Sequence, residues 1–82
     1  MKIKVLVSNG FIRIYINDVP HLFIKQDELV GFQSWIVGEG ETIKYIIEYT
    51  TKSGEILCEY DTPKKWKTLL RLLDKTILIK QY

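Results

Sequence analysis

The stretch that decides the fold runs from Asp61 to Lys75 and reads DTPKKWKTLLRLLDK. Its spacing predicts one amphipathic helix: Trp66, Leu69, Leu70 and Leu73 fall at i, i+3, i+4 and i+7, an apolar stripe about 100° wide. Asp61 or Thr62 can accept from the free N–H groups of the first turn. Pro63 suits the first helical position, where its missing donor costs nothing. Each of these apolar side chains contributes roughly 1.5–3 kcal/mol when fully buried. The stripe therefore needs an apolar surface to lie on, and the residues before it supply one.

Upstream, alternation with period two marks half-buried strands. Lys2 to Val7 alternates, with Ile3, Val5 and Val7 on one side. Asn9-Gly10 is a preferred pair for a two-residue hairpin, because both positions tolerate φ > 0. Phe11 to Ile16 alternates again, Ile12, Ile14 and Ile16 lying opposite Phe11, Arg13 and Tyr15. Asn17-Asp18-Val19-Pro20 is turn chemistry, and Pro20 cannot donate to a ladder. A third strand is expected over His21 to Lys25, with Leu22 and Ile24 opposed to His21 and Phe23. Leu29 to Val37 (LVGFQSWIV) is a longer strand with Gly31 as a candidate bulge. Val30, Phe32, Ser34 and Ile36 share one of its faces; Gln33, Trp35 and Val37 share the other.

After the turn Gly38-Glu39-Gly40-Glu41, Thr42 to Thr51 is the strongest strand, with Ile43, Tyr45, Ile47 and Tyr49 in one row. Lys52-Ser53-Gly54 turns again, and Glu55 to Tyr60 sets Ile56, Cys58 and Tyr60 against Leu57. Short turns between consecutive strands imply an antiparallel meander. The fold expected is α+β: about six short strands, curled into an open barrel or split sheet, covered by one C-terminal helix in a single domain, 1–82. Thr76 to Lys80 carries β-branched residues and reads as a short extended tail or edge strand.

Composition narrows the function. With 46% hydrophobic and 27% charged residues, the 82-residue chain is globular rather than disordered. No apolar run approaches the roughly 18–20 residues needed to cross a bilayer. The start lacks the continuous apolar segment and small-residue cleavage site of a signal peptide. A cytoplasmic protein without a membrane partner is expected. Cys58 is the single cysteine, which excludes an intrachain disulfide and a cysteine-based metal cage. His21 is the single histidine. A His21–Cys58 dyad is conceivable, but a surface histidine beside a turn and a small buried cysteine is the preferred reading. Glu39, Glu41, Glu55 and Glu59 lie in turns or on strand faces, where carboxylates are ordinarily solvated. No nucleophile motif, phosphate-cradling glycine loop or metal-spaced carboxylate set occurs. No catalytic residue, metal or cofactor is expected.

Charge is polarised along the chain. Residues 63–82 carry six basic groups and one acidic, a net of +5, whereas residues 1–62 carry six and nine, a net of −3. On a helical wheel Lys64, Lys67, Arg71 and Lys75 line up opposite the leucine stripe, with Leu72 at its edge. Such a stripe can contact phosphates or an acidic protein surface. A solvated face is the simpler account, since the stripe holds one arginine and no interleaved aromatics to stack on bases. Phe11, Tyr15, Phe23 and Trp35 could form an exposed aromatic row on the sheet face away from the helix. A curled sheet burying both faces is preferred.

Short antiparallel strands followed by a C-terminal amphipathic helix bearing Trp66 resemble the pleckstrin-homology-like superfold. That resemblance implies two near-orthogonal sheets forming an open barrel, with the helix plugging one end, and a scaffold for protein contacts. The chain has one strand fewer than that pattern. It also lacks the basic strand-loop signature between Ser8 and Arg13, so lipid-headgroup binding is not implied. The function expected is a small non-enzymatic interaction module of bacterial or phage type. Its partner would be another protein or a second copy, and its candidate contact residues are Lys64, Lys67, Arg71, Lys75, Trp35 and Leu72. The alternative is a nucleic-acid-binding protein using the basic helix face.

Overall fold

A computed structural model describes residues 2–77. Six strands run β1 (Ile3–Ser8), β2 (Phe11–Ile16), β3 (Val19–Lys25), β4 (Leu29–Val37), β5 (Lys44–Thr51) and β6 (Gly54–Tyr60), followed by α1 (Pro63–Ile77). They form two antiparallel three-stranded sheets, ordered β1-β2-β3 and β4-β5-β6. The sheets do not close into a barrel. The architecture is the α+β split sheet with one C-terminal helix that the pattern predicted.

Turn chemistry sets the first sheet. Asn9 (φ 53°) and Gly10 (φ 79°) make the left-handed pair of the first hairpin, and Asn17 (φ 53°) with Asp18 (φ 64°) makes the second. That second turn uses only two residues, so β3 begins at Val19, two residues before the expected start. Pro20 is tolerated because β3 is an edge strand. The β2–β3 register shifts between Ile14 and Tyr15: Tyr15 pairs with Pro20 and Ile14 with Leu22. His21 is the extra residue of this bulge. Gly31 lies beside a second bulge, since Leu29 pairs with Thr51 and Gly31 with Thr50. Val30 is thereby left out of the row that alternation had it share with Phe32, Ser34 and Ile36.

Gly40–Thr42 is a short 3-10 turn rather than the start of β5. The Thr42 hydroxyl donates to the Glu39 carbonyl at 2.7 Å and accepts from its N–H at 3.3 Å, which holds the threonine out of the strand. The helix also runs past its expected end. Thr76 and Ile77 continue it rather than becoming extended, since neither residue costs a helix more than about 0.7 kcal/mol. The remainder of that stretch, 78–80, lies outside the described residues.

The core sits between the inner faces and under the helix. Ile12, Ile14 and Ile24 of the first sheet meet Ile47, Tyr49 and Tyr60 of the second and Leu69 and Leu73 of α1, all buried. The helix packs against β1 and against β5 and β6, so its apolar stripe joins the two sheets. Its start is capped by the Thr62 hydroxyl, which accepts from the Lys65 N–H at 3.3 Å. The Trp66 indole N–H donates to the Ile46 carbonyl at 2.9 Å, and its ring lies 5.6 Å from that of Tyr45. Among the described residues no helix is long and apolar enough to cross a membrane.

Candidate interaction surface

Three places carry chemistry beyond packing. The first is a chain of hydroxyls inside the molecule. Tyr49 and Tyr60 share a hydrogen bond of 3.1 Å, and Tyr60 meets His21 Nε2 at 2.8 Å. Alternation had placed His21 outward; the bulge beside Pro20 turns it inward, where it is half-buried. Burial lowers the His21 pKa. With His21 neutral, Tyr60 donates to Nε2 and Tyr49 donates to the Tyr60 oxygen, so both hydroxyl hydrogens are used. Burial raises both tyrosines well above the ordinary phenol range. Burial also pushes the Cys58 thiol up, which keeps it from being a nucleophilic thiolate. The histidine is thus tied into the core rather than sitting on the surface. The arrangement joins β3 of one sheet to β6 and β5 of the other.

The second place is the helix. Lys64, Lys67, Arg71 and Lys75 are all exposed, and none pairs with a carboxylate among the described residues. The ion pair at the helix start belongs to Lys65 and Asp61, 3.0 Å apart, and Lys65 holds the Asp61 carboxyl below its usual range. Leu72 is half-buried, so it adds little to any exposed patch.

The third place is β4. It pairs with β5 on one side, and its other edge has no strand partner among the described residues. LVGFQSWIV contains neither a charge nor a proline, the two residue types that ordinarily blunt a free edge. From Gln33 to Val37 every residue is exposed, on both faces of the sheet. Register explains why this is unusual. Ser34 pairs with Ile47, which is buried, and Ile36 pairs with Tyr45, so both point to the core side. Even so, Ile36 is 53% exposed, because the helix covers β5 and β6. On the outer face Trp35 (36% exposed) is the cross-strand neighbour of Ile46, which is buried yet lies outside the central core cluster. Leu57 of β6 shares that outer face.

The basic helix face and Trp35 do not form one surface. Trp66 packs on the inner side of the second sheet, and Trp35 projects from the outer side. The proposed aromatic row is also divided: Phe11 and Phe23 stack at 4.8 Å on the outer face of the first sheet, with the Arg13 guanidinium 5.4 Å above Phe23, and Trp35 belongs to the other sheet. That outer face is not buried by curling, since Phe23 and Leu6 are exposed. A curled sheet buries both faces only when something covers the outside, and here the helix goes inside.

No family model, curated protein or solved structure matches the chain.

Proposed function

We propose that this chain is a small non-enzymatic interaction module that binds a protein partner by strand addition at β4. The observation that carries this reading is the edge of β4, without a strand partner among the described residues: nine residues without charge or proline, exposed on both faces over their second half. About half of the backbone N–H and C=O groups of such a strand point away from its neighbour and are open to an incoming chain. Trp35, Ile36 and Val37 offer side-chain contacts on both faces beside those groups. The two sheets with a C-terminal helix bearing Trp66 support the pleckstrin-homology-like likeness, read as a scaffold for protein contacts and not for lipid.

Affinity purification from the native host tests the reading when run on three chains. The natural chain and Leu57→Lys should recover the same co-eluting protein, and Ile36→Lys should lose it. Equal recovery by all three sinks strand addition at β4.

A second reading rests on the exposed Lys64, Lys67, Arg71 and Lys75, none of which pairs with a carboxylate among the described residues, and which suit phosphates. If this face bound nucleic acid, affinity for DNA or RNA oligonucleotides would fall steeply with salt, with a log–log slope of about −0.7 to −0.9 per phosphate contact. Absence of binding at low salt removes it.

A further inference from the structure

We infer that the segment taken up by β4 is an extended stretch of another protein, apolar in alternation and flanked by basic residues. The inference rests on the strand-addition reading and adds the partner's charge. Asp27 and Glu28 stand at the entry to β4, Glu39 and Glu41 at its exit, and none of the four forms an ion pair among the described residues. Lys44, opposite Val37 at the exit end, is engaged with Glu59 at 3.5 Å. Lys25 and Lys52 flank the entry without pairing there, so the exit is the more strongly acidic end. A nine-residue strand spans about 30 Å, several Debye lengths at physiological salt, so a partner meets the two ends as separate charges.

The same charges argue against a second copy. Antiparallel pairing of β4 with itself, centred on Ser34, sets Asp27 and Glu28 beside Glu39 and Glu41 of the other chain. Parallel pairing sets each acidic end beside its own equivalent. Both directions bring carboxylates near carboxylates, a repulsion that Lys25 and Lys52 offset in part at the entry and that is largest where two exits meet in parallel pairing. Such flanking charges keep an uncharged edge from pairing with itself. They favour a segment with lysine or arginine at its ends.

The test uses the full chain and three blocked peptides of about ten residues. Each has the same alternating Thr-Val centre, flanked at both ends by paired lysines, glutamines or glutamates. Binding is read by amide-exchange protection over 29–37. The lysine-flanked peptide should bind about tenfold more tightly than the glutamine-flanked one, as two exposed charge contacts allow, and the glutamate-flanked peptide should be the weakest. In the double variant Asp27→Lys/Glu41→Lys, checked for an unchanged thermal midpoint, the order should reverse. Equal affinity of the three peptides for β4 overturns the charge inference and leaves strand addition standing. Protection of 29–37 by self-association, seen as a dimer in sedimentation, overturns it in favour of a second copy. Failure of all three peptides to protect 29–37 overturns it together with strand addition.

Discussion

Strands β4 and β6 flank the same central strand, and each has one edge without a strand partner among the described residues. Along β6 the outward row alternates Glu55, Leu57 and Glu59, and Lys44 pairs with Glu59. Its inward row, Ile56, Cys58 and Tyr60, lies under the helix and is held to the first sheet through Tyr60 and His21. Along β4 the second half has no charge, and among the described residues it has no cover and no hydrogen-bonded tie to the opposite sheet. The two edges have similar strand propensity. What separates them is where the helix lies and where the charges stand. An edge becomes available when cover and charge are both absent, and of these two edges β4 combines both among the described residues.

Removing the cover should produce the largest effect. Leu73 is fully buried in the helix stripe, so Leu73→Ala should cost about 2–5 kcal/mol, measured by denaturant unfolding. Ile36→Ala on β4 should change stability by no more than about 0.5 kcal/mol, because the side chain already meets water. A comparable loss at both positions would mean that Ile36 is packed and that β4 is not open.

The end of β4 offers a sharper contrast within one strand. Gly38 has φ 92°, and a Cβ there would run into the Thr42 carbonyl oxygen. Gly38→Ala should cost about 1–3 kcal/mol. At Gly31 a Cβ meets nothing within 4 Å and the backbone is ordinary, so Gly31→Ala should be neutral or slightly stabilising. Thermal midpoints of the two variants decide it. A neutral Gly38→Ala would show that the turn after β4 has no fixed shape.

Much of this was legible in the sequence, for physical reasons that can be named. Strict alternation with turn pairs such as Asn9-Gly10 located β1, β2 and β6 closely, and the spacing of Trp66, Leu69, Leu70 and Leu73 located the helix. Alternation also grouped Ser34 and Ile36 on one face, which the register shows to be the core side. It could not say that this part of the core side would lie beyond the helix, since cover is a tertiary property. His21 was misplaced because a bulge shifts the face of a residue without changing its spacing; Pro20, which cannot continue a ladder, was the available signal. The open edge had a signal too. Among the described strands LVGFQSWIV is the one without a charge or proline, apart from its bounding acids. Leu72 was overrated because a residue at the border of a helix stripe is settled by what packs beside it.

A smaller effect concerns the tie that β6 has and β4 lacks. His21 titrates from a lowered pKa in the folded state, against 6.5 ordinarily, so the folded chain binds fewer protons on this group than the unfolded one. Its contribution is therefore complete above about pH 6.5, declines as pH falls below it, and levels off beneath the folded value. Protonation makes Nε2 a donor, reverses the hydroxyl chain and leaves the Tyr49 hydrogen without an acceptor among the described residues. Urea midpoints should drop between about pH 7.5 and pH 5. His21→Gln keeps an acceptor for Tyr60 and should flatten that drop. An unchanged slope in the variant would assign the pH dependence to carboxylates instead.

The smallest effect is on association rather than folding. Ile36→Lys and Leu57→Lys each replace an exposed side chain, so each should shift stability by no more than about 0.5 kcal/mol. Their consequences for self-pairing differ, because only β4 lacks charges of its own. At low salt the acids at both ends of β4 oppose pairing of two copies. Raising salt shortens the Debye length from about 10 Å at 0.1 M to about 3 Å at 1 M and removes that opposition. Light scattering should therefore rise with salt for the natural chain and for Leu57→Lys. It should stay flat for Ile36→Lys, whose lysine places a charge on the pairing edge itself. Should Leu57→Lys suppress the rise and Ile36→Lys leave it, the association runs through the outer face of the sheet, and the distinction between the two edges fails.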